Sequence, residues 1–448
     1  MTTHHDPHEL KIPSVVSRRQ FLSLLGLSGG AAVLPGLIDP VRAEAASKAK
    51  AAANAKGRSN TKTGTAKTSP KPIPLLSNSP GTPGSRTLVV IELLGGNDGF
   101  SMLVPSGDAR FRKLRDRAWL NQKDLVPYGD RYSLAAGLAP LAPRLALVEG
   151  VGVAKPDFSH TAMATRWWQG DPDGTASTRT GFLGRCCDLL SGTAAVVGVS
   201  VGGGSTPALI SAKAPTVALP NLGSLRELTN DRDARMRPSM SALTEGGTDT
   251  AGLEIADADL MGRARSGLAS GLTLLGGLAG VTGKAAGYPQ NNQLSSSLAL
   301  VRELISLNVG IQVLHVPWGS FDTHTGHQWS HPEQMRQLGS ALTAFNNDLV
   351  RNGLADRVLV ATTSEFGRRA EANAGGTDHG SASTMALMGP VKPGRHGGPV
   401  NFEQLDQSGN VAATVGLGDY YATLASWLGL PVAELVVGGG TPIASLGL

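Results

Sequence analysis

Three of the ten histidines in this 448-residue chain crowd into one short segment beside an aspartate: Phe321-Asp322-Thr323-His324-Thr325-Gly326-His327, with His331 close behind. Carboxylates and imidazoles are the ligands of zinc, manganese and iron. Residues two apart on extended backbone project to one side, so Asp322 and His324 can reach a single ion. Further acid- and histidine-bearing segments are Gly95-Gly96-Asn97-Asp98-Gly99, Ser364-Glu365-Phe366-Gly367-Arg368 and Gly375-Gly376-Thr377-Asp378-His379-Gly380. Ser159 opens a helical pattern. Taken singly, each has an ordinary reading: a glycine-rich tight turn, a helix cap, a surface imidazole. Their shared position argues for a site, because three of them follow apolar runs.

Those runs are the elements that must hold the site. Arg86–Leu94 (RTLVVIELL) is continuously apolar, as expected of a strand buried on both faces. Leu145–Val153, Ala195–Val201, Ile311–Val316, Arg357–Thr363 and Met385–Met388 read as further strands. Helical patterns span Ser159–Gln169, Gly181–Leu190, Asn292–Asn308, His331–Asn352 and Leu417–Leu428. The alternation predicts an α/β fold, a mostly parallel sheet sandwiched between helices. In such sheets the loops at the carboxyl ends of strands build the site. Residues 222–290, rich in Gly, Ala, Ser and Thr, read as an insertion or cap. Gly202-Gly203-Gly204 lacks the dinucleotide spacing, and Gly283-Lys284 lacks the earlier glycine of a phosphate loop. Cys186 and Cys187 are adjacent, which suits two small buried thiols on a helix better than a strained bridge.

The segments LLGGNDGFSMLVP, DFSHTAMATRWWQG, FDTHTGHQ, TTSEFGRRAEANAGGTDHG and DYYATLASWLGLP occur in this order. Together with an Arg-Arg signal they resemble the secreted bacterial domain-of-unknown-function family 1501, grouped with the alkaline-phosphatase-like and sulfatase superfamily. The resemblance covers residues 86–430. It implies an alkaline-phosphatase-like fold with one or two divalent ions, zinc, manganese, magnesium or calcium. It matches Asp98 to a metal-binding Asp at the end of the first strand. A nucleophile at a helix N-terminus is matched by Ser159, with Thr161 as the alternative. The first ion's ligands are matched by Asp322, by His324 or His327, and by His379, with Asp378 beside it. The second ion's usual Asp-His pair is matched by Glu365 and Phe366. A phenyl ring cannot ligate, so that ion would keep Asp98, Glu365 and Ser159, an oxygen-rich set suited to manganese, magnesium or calcium. The alternatives are a single-ion site or a fold that has lost catalysis. Arg368 and Arg166 are candidate clamps for a phosphate or sulfate group. Trp167, Trp168 and Trp318 read as core or pocket wall. The implied function is a metal-dependent hydrolase of phosphate or sulfate esters, with a small-molecule or polymer substrate; the rival is a non-catalytic binding protein.

The net charge of +5 belongs to a tail. Residues 44–84 alone carry seven basic side chains against Glu44, more than the whole excess. The remainder gives no electrostatic case for a nucleic-acid partner. Residues 1–45 have a charged, an apolar and a small-residue part, and Arg18-Arg19 before Phe21-Leu22 reads as a twin-arginine signal, so the translocase is the expected partner during export. A membrane-anchoring helix is the alternative, weakened by Gly26, Gly29, Gly30 and Pro35. Residues 46–84 read as a flexible basic linker and 85–448 as the domain, destined for the periplasm or the outside with no stable membrane span after cleavage. Replacing Arg18 and Arg19 by Lys should hold the precursor in the cytoplasm; fractionation showing normal export would refute the twin-arginine assignment.

Overall fold

A computed structural model of the chain describes residues 86–116, 120–175, 179–192, 196–221 and 287–448. The segments read from sequence as signal and linker, and nearly all of 222–290, read as an insertion or cap, lie outside the described residues. The strands that frame the site are β1 (Thr87–Leu93), β2 (Leu145–Gly152), β3 (Gly198–Val201), β4 (Thr216–Leu219), β5 (Val313–Trp318), β6 (Val358–Thr363), β7 (Gly367–Ala372), β8 (Thr377–Gly380), β9 (Ala382–Met388) and β10 (Gly394–Gly397). The main sheet runs β10-β2-β9-β6-β1-β5-β3-β4, with a short strand at Val415–Gly416 also on β2. Pairing is parallel throughout except at β9, which is antiparallel to both β2 and β6. β7 and β8 form a separate antiparallel hairpin. The mostly parallel sheet is therefore the one the apolar runs indicate. β9 departs because the β7–β8 hairpin returns the chain to the site edge before β9 begins.

All seven residues of β1 are buried, so both faces of the central strand are covered. Val89, Ile91 and Leu93 face one core with α5 (Gln293–Ser306) and α6 (His327–Arg351). Leu88 and Val90 face the other, with α3 (His160–Gln169), α4 (Phe182–Leu190) and α7 (Leu417–Trp427). Two earlier short helices, α1 (Gly99–Met102) and α2 (Ala109–Leu114), follow β1. Fully burying one such aliphatic side chain contributes about 1.5–3 kcal/mol, so the two core layers drive the sandwich. Cys186 and Cys187 are free and buried on α4, where loss of hydration pushes the Cys186 thiol up to about 12 and holds it inert. No helix among the described residues is long and apolar enough to cross a membrane.

Parallel pairing puts the carboxyl ends of β1, β2, β5 and β6 on one edge. α6 carries the histidine-rich loop at its N-terminus and is seated on the 3₁₀ segment Ala136–Arg144 by close backbone approach. A Cβ at Gly339 would lie 1.8 Å from the Gly137 carbonyl oxygen, so the two backbones touch only because neither residue has a side chain there. Gly339→Ala should lift α6 off this support and lower the unfolding free energy by about 1–3 kcal/mol, read from the denaturant midpoint. An unchanged midpoint would show that the contact yields freely.

Candidate metal centre

The β1 carboxyl end turns through Gly95 and Gly96, whose φ values of +100° and +81° lie in the left-handed region. A Cβ at Gly95 would stand 2.7 Å from the Asp322 amide nitrogen, and one at Gly96 would stand 2.2 Å from the Phe366 ring. The turn is thus wedged between the loop after β5 and the loop after β6. Arg368 of β7, fully buried, ties these pieces together. Its Nε donates to the Gly96 carbonyl (2.8 Å), Nη1 to the Thr377 carbonyl (2.8 Å), and Nη2 to the carbonyls of Gly95 and Phe321 and to Asp322 Oδ1 (2.8 Å).

Around Asp322 the ligand atoms converge. His324 Nε2 and His379 Nε2 each lie 3.1 Å from Asp322 Oδ1 and 3.0 Å from one another. His379 Nδ1 donates to the Phe158 carbonyl (2.8 Å), and a carbonyl only accepts, so the proton sits on Nδ1 and Nε2 presents a lone pair. His324 Nδ1 faces Asp378 Oδ1 at 3.1 Å, which fixes the same tautomer. Two imidazole lone pairs this close repel unless a metal cation or a second proton lies between them.

His160 is the fourth member. Its Nδ1 is 3.0 Å from Glu365 Oε1, and its Nε2 is 3.5 Å from Asp322 Oδ2. Atoms of His160, Asp322 and His379 all lie within 4.8 Å of one another. Each histidine therefore turns one nitrogen to an oxygen acceptor and the other toward Asp322, the usual outer support of metal-bound imidazoles. Phe366 packs its ring against His379 (centroids 4.1 Å, stacked) and His160 (5.0 Å), fixing both planes. The sequence reading did not single out His160. The signal was its place directly after Ser159, at the helix start that follows β2.

The electrostatics differ from group to group around the cluster. Burial opposes the charge on Asp322, but the Arg368 guanidinium, through its hydrogen bond and its charge, leads in outweighing it and the carboxyl comes down to about 2. Burial lowers His379, favouring the neutral ligand form. The hydrogen bond to Glu365 raises His160. The Asn373 amide leads in lowering Asp378. Glu365 Oε1 also accepts the Gly95 N–H (2.9 Å), while its buried Oε2 has no protein partner.

Two expected ligands are elsewhere. Asp98 is fully buried, caps α1 and forms a bidentate pair with the buried guanidinium of Arg115. Burial works against the Asp98 charge, and Arg115 overrides it, holding the carboxyl far below the carboxylate range. His327 Nε2 bonds Ser101 Oγ (2.9 Å) and approaches Asp98 (3.1 Å), while Nδ1 meets Thr323 Oγ1 (2.8 Å). In the loop after β5, His324 rather than His327 joins the cluster. Glu365 and Asp378 sit one layer out, on His160 and His324. Arg368 is engaged by protein oxygens and positions Asp322 rather than clamping an anion. Arg166 donates to the Lys155 carbonyl at the surface. Ser159 caps α3 (Oγ to Ala162 N, 3.5 Å) and stays exposed between Phe158, which holds His379, and His160. Trp167 and Trp318 are core residues, and Trp168 donates to Glu92 (2.7 Å).

The family described as a protein of unknown function, DUF1501, matches residues 159–443. No curated relative matches the chain in sequence. Among solved structures, wild-type alkaline phosphatase PafA is similar over 81% of this chain and 99% of its own, at 10% identity and a TM-score of 0.43. The lipoteichoic acid synthase LtaP from Listeria monocytogenes is similar over 81% and 76%, at 12% identity and 0.40. The phosphonate monoester hydrolase of Agrobacterium radiobacter is similar over 81% and 77%, at 11% identity and 0.38. Likenesses this distant say nothing about chemistry.

Asp98→Ala tests its displacement from the centre. Leaving the Arg115 charge buried without its partner should cost about 3–5 kcal/mol of stability. Bound metal per folded chain, read by elemental analysis, should stay unchanged; loss of an equivalent would return Asp98 to the ligand set.

Proposed function

The chain belongs to the DUF1501 family, and on that footing we propose that it is an exported, metal-dependent hydrolase of phosphate or sulfate esters. One observation carries the reading: Asp322 Oδ1, His324 Nε2 and His379 Nε2 form a triangle with edges of 3.1, 3.1 and 3.0 Å. Tetrahedral zinc with bonds of about 2.0–2.1 Å has ligand–ligand edges of about 3.3–3.4 Å, so only a small spreading of the side chains admits an ion. The donor chemistry fits as well, since an imidazole-rich set with one carboxylate suits zinc, manganese or iron. His160 offers a further nitrogen. When bound, a divalent ion supplies Lewis acidity to an ester oxygen.

The chain's own groups do the rest. Arg368 holds the Asp322 carboxylate in place, and Phe158, Asp378 and Glu365 fix the tautomers of His379, His324 and His160. Ser159 exposes its hydroxyl at the N-terminus of α3, where the helix dipole favours negative charge developing on an attacking oxygen. Export rests on the sequence of residues 17–45. A second reading is supported by Phe366 and by the engaged Arg368: the ion is kept and hydrolysis is lost.

Metal analysis of protein exported in its native host is the test. About one equivalent should be present, and His324→Ala and His379→Ala should each lose it. An ion that binds only the native state adds about 2.7 kcal/mol at a hundredfold excess over its dissociation constant, so chelation should lower the melting temperature. Ser159→Ala should keep the ion and abolish hydrolysis of p-nitrophenyl esters. Metal without hydrolysis would select the binding-protein reading. No stoichiometric metal, and no rise in melting temperature with zinc, manganese or calcium, would end the hydrolase reading.

A further inference from the structure

We infer that Ser445 is an activated hydroxyl, a covalent site separate from the metal centre, which accepts the acyl group of a carboxylic ester or thioester bearing a good leaving group. The pair that carries this is His396 on β10 and Ser445 on the 3₁₀ turn Ala444–Leu446. His396 Nε2 lies 2.7 Å from the Lys392 carbonyl oxygen, and Nδ1 lies 3.0 Å from Ser445 Oγ. A carbonyl only accepts, so Nε2 carries the proton, and in the neutral ring Nδ1 presents a lone pair. The Ser445 hydroxyl then donates to it. A hydroxyl bonded to a base whose other nitrogen is held by a third group is the arrangement that activates a serine nucleophile.

Placement supports the assignment. His396 is buried and Ser445 is exposed, so the base is shielded while the hydroxyl is within reach of a reagent. Both stand on fixed backbone. His396 pairs with Val148 of β2. Leu446 is fully buried in the core, and its carbonyl accepts the Lys392 N–H (2.8 Å). Thr423 Oγ1 on α7 accepts the Ile443 N–H (2.9 Å). The turn is thus fastened without the Ser445–His396 bond. In the reaction, Ser445 Oγ forms a bond to the carbonyl carbon as its proton passes to His396 Nδ1. The carbon's bond to the leaving oxygen or sulfur then breaks, and the imidazole returns the proton to that group, leaving an acyl-serine and a phenol or thiol. Water meets the developing oxyanion at this exposed position, so only a good leaving group departs. The serine alkoxide is a poor one, and the acyl-serine accumulates.

p-Nitrophenyl acetate, at mildly alkaline pH with the full chain, is the test. It should release a burst of about one equivalent of p-nitrophenol, and peptide mass spectrometry should place the acetyl group on Ser445. Excess chelator should leave the burst unchanged. Ser445→Ala should remove it, and His396→Gln should slow it about a hundredfold. Ser445→Cys keeps His396 in place and covers the case in which His396→Gln fails to fold. An imidazole partner lowers a thiol pKa, so iodoacetamide near neutral pH should alkylate this variant about tenfold faster than a cysteine in a short peptide. Cys186 and Cys187, both buried, should not compete. An unacetylated Ser445, acetylation at the same rate in folded His396→Gln, or a Ser445→Cys thiol no faster than the peptide overturns the inference. So does a burst lost to the chelator, which would place the reaction at the metal centre. None of these outcomes bears on the ester-hydrolase reading of that centre except the last, which would support it.

Discussion

The buried guanidinium of Arg368 is the constraint on which the rest of the centre depends. Three separate pieces of chain meet at it: the Gly95-Gly96 turn, the Phe321-Asp322 segment and the start of β8 at Thr377. Each of these ends in carbonyl oxygens that point inward, and buried carbonyls without donors are costly. One planar group with five N–H bonds satisfies them together, and the carboxylate of Asp322 balances its charge. A lysine could not, because an ammonium is a point charge with a different hydrogen-bond geometry. The arginine thereby converts a folding requirement into a functional one. The acid that neutralises Arg368 is the same acid toward which three histidines turn.

Phe366 plays a comparable double part. Its ring fills the space that the missing Cβ of Gly96 leaves open and packs on His379 and His160. The superfamily comparison made from sequence treats this residue as a lost ligand. In the fold it is a packing residue against two imidazoles, those of His379 and of His160 on the neighbouring helix. The pair Gly96 and Phe366 is therefore coupled, since neither a side chain at the first nor a smaller ring at the second keeps the wedge intact.

Much of the architecture was legible in the residues. The continuous apolar runs of β1, β2, β5 and β6 and the helical patterns of α3 to α7 reflect burial on two faces, which is a local property of the sequence. The site loops were legible for the same reason, because strand ends in a parallel sheet gather at one edge. What sequence could not show is which of several chemically equivalent groups a distant partner claims. Asp98 and Asp322 both follow strands, yet Arg115, on the turn after α2, reaches only the first. His324 and His327 are three residues apart, yet the start of α6 turns His327 inward to Ser101 and Thr323 while His324 stays on the loop beside Asp378.

That partition has a chemical consequence. Two acids at one sheet edge would repel, and each needs its own positive partner. Arg115 is a permanent partner for Asp98: it closes both carboxylate oxygens and brings two backbone carbonyls with it. Arg368 is an incomplete partner for Asp322. It touches Oδ1 alone, from one side, and leaves Asp322 exposed to the histidines. A fixed charge thus fills one acidic position with no room for exchange. The other is half satisfied and ringed by imidazole nitrogens, which is the condition under which a carboxylate gains most from an added cation. The asymmetry between the two arginines, rather than the count of acids and histidines, makes Asp322 the centre and Asp98 part of the frame.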